Sequence, residues 1–137
     1  MSQENIELVR QVYDAVGRRD VTSILALYDP DVEFYFAPGT LADHIGGGGT
    51  YRGHEGLRAF DRDLRLAFEN FETTYEELID AGERVVSVSR YRARGRGGIE
   101  VDGPLQFGVW TIRDGKITRV AWFATRDEAV ESAGLQE

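Results

Sequence analysis

The sequence predicts an α+β fold: a strongly curved antiparallel sheet wrapped around a long helix, with two helices ahead of it, in one domain over residues 1–137. Three observations carry the prediction. Helical periodicity fills the first 28 residues and returns after His54, strand alternation takes over after Phe71, and the run QFGVWTIRDGKITRVAWFA from Gln106 to Ala124 reads as a hairpin. Strands gathered behind helices need a shared core, and a curved sheet closing on an apolar helix face supplies one.

The first helix has Ser2 as its cap and Glu4 in its first turn. Its apolar stripe runs through Ile6, Val9, Tyr13 and Val16, widened by Leu8, Val12 and Ala15. Gly17-Arg18-Arg19 ends it, and Asp20 caps a short second helix through Ile24, Leu25, Leu27 and Tyr28. Asp29-Pro30-Asp31 stops that helix, because proline disfavours helical geometry in the residue before it. Val32–Phe36 is a strand with Val32, Phe34 and Phe36 on one face.

The stretch from Ala37 to Gly53 is irregular and carries four consecutive glycines, which suits either a mobile lid or a poorly ordered loop. It lacks the Gly-Lys-Ser/Thr ending of a phosphate loop. His54-Glu55-Gly56 opens the long helix, whose stripe is Leu57, Phe60, Leu64, Phe68 and Phe71, with Arg58, Asp61, Arg62, Asp63 and Arg65 facing solvent.

Phe71–Ile79 is the next strand. From Arg84 to Arg94, Val85, Ser87, Ser89, Tyr91 and Ala93 face one way, and Val86, Val88, Arg90, Arg92 and Arg94 the other. Ile99–Asp102 extends the sheet after a Gly-rich turn. In the hairpin, Asp114-Gly115 supplies the positive φ angles of a type I′ turn. Gln106, Gly108, Trp110 and Ile112 lie on one face of the first strand and Phe107, Val109 and Thr111 on the other; in the second strand Thr118, Val120 and Trp122 oppose Ile117, Arg119, Ala121 and Phe123. Apolar residues on both faces predict cover on both sides. Thr125 and Glu128 have the spacing of a capping box for a final short helix that Gly134 ends.

Composition excludes several classes of function. A net charge of −8 argues against nucleic acid and anionic membranes as partners. With no cysteine there is neither a disulfide nor a thiolate metal site, and two histidines without HxH or HxxxH spacing predict no metal. No nucleotide or cofactor motif is present, so none is expected. The polar, amphipathic start and the lack of a long apolar run lead to the expectation of a cytoplasmic protein with no membrane partner.

The segments VRQVYDAVGRRD, LYDPDVEF, TYRGHEGLRAF and DGKITRVAWF, in this order and spacing, resemble the nuclear transport factor 2-like superfamily and, within it, SnoaL-like and ketosteroid-isomerase-like proteins. The resemblance spans nearly the whole chain. It implies a cone-shaped sheet with an apolar pocket at its open end, and a homodimer formed through the sheet. The Arg90, Arg92 and Arg94 row suits acidic groups of a second copy. Functions in the superfamily are mixed, so fold alone leaves activity open.

The same resemblance sets the candidate site. Phe34, Tyr91, Gln106, Trp110, Val120 and Trp122 would line the cone, a mostly apolar surface with few polar points that suits a small hydrophobic, cyclic organic molecule. Tyr13 matches a tyrosine that donates to a substrate oxyanion in ketosteroid isomerases; an ordinary buried tyrosine is the plainer alternative. Phe34 stands where those enzymes have their aspartate base, and Gly108 where a protonated aspartate completes the oxyanion hole. Isomerisation by that route is therefore disfavoured. Asp43-His44 in the glycine-rich stretch is the most reactive-looking pair, with His44 as proton carrier and Asp43 as helper; an exposed loop histidine without a role is the plainer alternative. Two functions stay open: a cofactor-free acid/base enzyme of isomerase, cyclase or epoxide-hydrolase type, and a non-catalytic ligand-binding or dimeric interaction module.

Overall fold

The computed structural model describes residues 2–45 and 49–134. Gly46, Gly47 and Gly48 of the expected mobile run lie outside the described residues, as does the side chain of the Ser2 cap. The elements are α1 (Ser2–Gly17), α2 (Val21–Leu27), β1 (Tyr28–Phe36), β2 (Thr50–Arg52), α3 (Gly53–Ala67), β3 (Phe68–Ala81), β4 (Arg84–Gly95), β5 (Glu100–Asp102), β6 (Gln106–Arg113), β7 (Lys116–Phe123) and α4 (Arg126–Ser132). A 3₁₀ turn spans Leu41–His44.

The strands form one curved, unclosed sheet in the order β2-β1-β7-β6-β4-β3, with β5 alongside the far end of β4. The expected α+β architecture is present, with one difference in strand direction: β1 runs parallel to β7, and every other pair is antiparallel. The long stretch between β1 and β7 makes this pairing possible, and nothing local in either strand announces it.

The inner face of the sheet packs on α1 and α3. Val9, Val12 and Tyr13 of α1 and Leu57 of α3 meet Val85, Trp110, Val120 and Phe34 in the main core. α4 covers the outer face, where Ala129 and Ala133 pack on Val86, Val88, Phe107 and Val109. The hairpin is thus covered on both sides. Its turn residues Asp114 and Gly115 take φ of 51° and 74°, as a type I′ turn demands.

Four local expectations shift. The second helix stops at Leu27, and Tyr28 already belongs to β1, pairing with Ile117. The register then breaks before Glu33, which accommodates Pro30, a residue with no N–H to offer a ladder; Asp31 N–H instead donates to Asp29 Oδ1 at 2.8 Å. The long helix ends at Ala67, so Phe68 and Phe71 lie on β3 while still packing inward. Ile117 joins the inner cluster with Val120 and Trp122, because an irregularity between Thr111 and Ile112 resets the alternation. The stretch after β1 is less irregular than expected, holding the 3₁₀ turn and β2.

The arginine row meets carboxylates of its own chain. Arg90 pairs with Glu76 at 3.1 Å, Arg92 with Asp102 at 3.1 Å and Arg94 with Glu100 at 2.8 Å, all within the chain. Among the described residues no helix is long and apolar enough to cross a membrane.

Candidate functional site

Strand register builds the site as successive rungs across the inner face. One rung runs Tyr51–Phe34–Val120–Trp110–Val85. The next runs Phe36–Trp122–Gly108–Ser87. Two large indoles on neighbouring rungs need a small residue beside them, and Gly108 is that residue. Its Cβ would lie 2.8 Å from Ser87 Oγ, 2.9 Å from Trp122 Cζ3 and 3.0 Å from Trp110 Nε1. No side chain fits there without displacing both tryptophans.

Between these rungs and the helices lies a cavity of about 220 Å³, far above the ~10–15 Å³ that admits one water. Its interior is aromatic. Phe34, Phe36 and Phe60 meet with centroids 5.1–5.4 Å apart, Phe36 stacks on Trp122 at 6.3 Å, and Trp110 meets Trp122 edge-on at 5.8 Å. The charged residues on its wall, Arg19, Asp61, Arg65 and Glu69, are more exposed and form the rim. There Arg65 pairs with Asp61 at 2.9 Å, and Arg19 donates to Asn70 Oδ1 at 3.2 Å.

Polar groups inside are few. Ser87 Oγ accepts from Trp110 Nε1 at 2.8 Å and from the Tyr13 hydroxyl at 3.2 Å. Burial pushes the Tyr13 phenol up, against the opposing pull of its Ser87 and Ser89 hydrogen bonds. Gln106 Oε1 accepts from Leu41 N–H at 2.5 Å. A backbone N–H can only donate, so this bond fixes the amide's orientation and leaves its NH₂ as the free end. Trp122 Nε1 is fully enclosed with no hydrogen-bond partner.

Of the residues expected from the sequence, Tyr13, Phe34, Gln106, Trp110 and Trp122 line this cavity. Tyr91 and Val120 face inward but do not reach it. Val120 is fully covered within its rung. The Tyr91 ring stacks on Phe71 at 5.7 Å and lies over Gly103, where a Cβ would be 2.2 Å from its Cε2. Asp43 and His44 sit exposed on the 3₁₀ turn, outside the cavity wall. Asp43 Oδ2 accepts from Gly39 N–H at 3.0 Å, and His44 meets the Tyr91 ring edge-on at 6.5 Å. His54 is structural: its Nε2–H donates to the Tyr28 carbonyl at 3.0 Å, tying the start of α3 to that of β1.

Sequence reasoning missed Tyr28, Phe36, Phe60 and Arg19 as cavity residues. A signal existed for Tyr28, since Pro30 already opposed helix at Asp29 and so loosened its neighbour from the helical stripe. Among the described residues no three His, Asp or Glu side chains gather as a metal site.

Residues 9–120 match the profile of the SnoaL-like domain family. An uncharacterised protein of Mycobacterium tuberculosis (strain ATCC 25618 / H37Rv) is 32% identical over 130 residues, which cover 93% of this chain and 94% of that protein. Among solved structures, a nuclear transport factor 2-like protein of unknown function from Burkholderia pseudomallei K96243 superposes with a TM-score of 0.79 at 27% identity, covering 93% of this chain and 95% of that one. TerC, co-crystallised with polyporic acid, superposes with a TM-score of 0.79 at 28% identity, covering 96% of this chain and 98% of its own.

Proposed function

The chain belongs to the SnoaL-like domain family, and from that premise we propose that it binds a small, largely apolar, ring-bearing organic molecule in the cavity between its helices and the inner face of its sheet. The observation that carries this reading is the cavity itself: an aromatic interior of about 220 Å³, with charge confined to the rim. Apolar walls with a few fixed polar points are the usual make-up of a small-molecule site. That TerC was co-crystallised with polyporic acid supports the same reading.

Tyr13, Phe34, Gln106, Trp110 and Trp122 form the binding wall in this proposal, with Phe36 and Phe60 as further aromatic surface. Holding, rather than proton transfer, is the role favoured. The carboxylates of its lining, Asp61 and Glu69, belong to the rim, no imidazole lines it, and Asp43 and His44 stand outside its wall. General acid–base catalysis needs a group within hydrogen-bond reach of the proton it moves.

A thermal-shift screen against steroids, anthraquinones, terpene epoxides, fatty acids and polyporic acid tests the proposal. A ligand at ~100 times its dissociation constant should stabilise the fold by about 2.7 kcal/mol. Recovery of the ligand unchanged after incubation is the expected companion result. Conversion to a product would move the reading to catalysis, and silence across the panel would overturn it.

A further inference from the structure

Tyr28 is 5% exposed and lines the cavity. Its carbonyl is held by His54 and its ring meets Phe34 edge-on at 6.4 Å, so both backbone and ring are fixed. The hydroxyl, however, makes no hydrogen bond with any described residue. It is also absent from the fully enclosed orphan atoms, of which Trp122 Nε1 is the only described case. A deeply buried phenol that is neither paired nor sealed off has its oxygen open to the cavity.

The position of that hydroxyl is informative. Tyr28 pairs with Ile117 at the start of β1, whereas Phe36 pairs with Trp122 at its end. Ile117 and Trp122 are five residues apart on β7, or about 17 Å of strand. Arg19, Arg65 and Glu69 of the rim are exposed, whereas Tyr28 is buried, which assigns it to the interior of the wall. Burial raises its ionisation well above the ordinary phenol range, and the group is a neutral donor at any physiological pH. No carboxylate, imidazole or other strong acceptor accompanies it in the interior.

We infer that Tyr28 anchors a hydrogen-bond acceptor oxygen, a carbonyl or ether, at the buried end of the ring-bearing ligand. The inference rests on the binding reading above and narrows its ligand class. A hydrocarbon entering the site displaces water from the hydroxyl and leaves the donor stranded. A ligand with an oxygen at that end restores the bond. Sites built around such a donor discriminate strongly against analogues lacking the acceptor.

Fluorene and 9-fluorenone share one tricyclic frame and differ by a single ketone oxygen, which makes them suitable probes by equilibrium dialysis. The wild-type protein should prefer 9-fluorenone by about tenfold, the size of a net buried hydrogen bond. Tyr28→Phe removes the stranded donor, so it should bind fluorene at least as tightly as wild type and reduce the preference to below about threefold. Because the readout is a ratio within one variant, a general loss of packing would not mimic it. Equal binding of the two probes by wild type would overturn the inference while leaving the binding site intact. A preference that survives Tyr28→Phe would also overturn it and assign the oxygen to the Gln106 amide, which Gln106→Glu would test while keeping the acceptor for Leu41 N–H. Binding of neither probe would overturn the underlying reading with it.

Discussion

Gly108 and Trp122 share a rung of the sheet so closely that a Cβ on the glycine would lie 2.9 Å from Cζ3 of the indole. The same Cβ would meet Ser87 Oγ at 2.8 Å, and Ser87 accepts the hydrogen bonds of Trp110 and Tyr13. One methyl group therefore presses on two tryptophans and a buried hydroxyl at once. Gly108→Ala should destabilise the fold by about 1–3 kcal/mol, the range for overpacking a filled interior, and it should lower ligand affinity because both indoles line the cavity. Chemical denaturation and the thermal-shift screen read the two effects separately. The strain also explains why an aspartate at this position, expected from ketosteroid isomerases, has no room beside these indoles.

Glu33 links three strands through paired arginines. Its carboxylate meets Arg119 Nε at 2.9 Å and Arg52 at 2.9 Å. The hydrogen bond from Arg119 is the main cause holding its ionisation below the usual carboxylate range; burial opposes it, and the charges of Arg52 and Arg119 add to the lowering. A carboxylate depressed in the folded state stabilises it fully above the unfolded value. That contribution is lost as pH falls through the folded value. Glu33→Gln should therefore be less stable than wild type at neutral pH, with the two curves converging on acidification. Urea melts between pH 7 and pH 3 measure the convergence, and a constant gap would show that Glu33 acts through packing alone.

Legibility of the sequence followed the range of the interactions involved. Alternation in β4 was readable because Val85, Ser87, Ser89, Tyr91 and Ala93 repeat with period two and the rest of the strand agrees. The hairpin was readable because Asp114-Gly115 is a local backbone demand. The helix-to-strand junction at Ala67–Phe68 was not, since no glycine or proline marks it and Phe68 and Phe71 are inward-facing in either conformation. The parallel pairing of β1 with β7 joins residues some 86 positions apart, Glu33 with Arg119 among them, and has no local signature. In the site, alternation gave the face but not the depth. It placed Tyr91 inward correctly and could not show that Phe71 and Gly103 take up its ring. Nor could spacing show on which side of the 3₁₀ turn Asp43 and His44 emerge.

The end of α1 carries its glycine in the wrong place for a helix stop. Gly17 is the last helical residue, and an added Cβ there would touch nothing within 4 Å. The residue that turns left-handed is Arg19, with φ of 56°, where Arg19 N–H closes on Val16 O and Asp20 N–H on Ala15 O. Left-handed backbone costs a non-glycine residue roughly 1 kcal/mol, while glycine inside a helix costs ~0.5–1 kcal/mol relative to alanine. Gly17→Ala should therefore stabilise the fold by about 0.5 kcal/mol, reduced from the interior value because the position is terminal. Arg19→Gly should relieve the left-handed strain and give up only an exposed bond to Asn70, for a net gain of similar size. Arg19→Ala loses the bond and keeps the strain, so it should not stabilise. Thermal melts of the three single variants and of Gly17→Ala/Arg19→Gly should rank the double variant highest. If Arg19→Ala stabilised as much as Arg19→Gly, the guanidinium and not the backbone would be the source of strain.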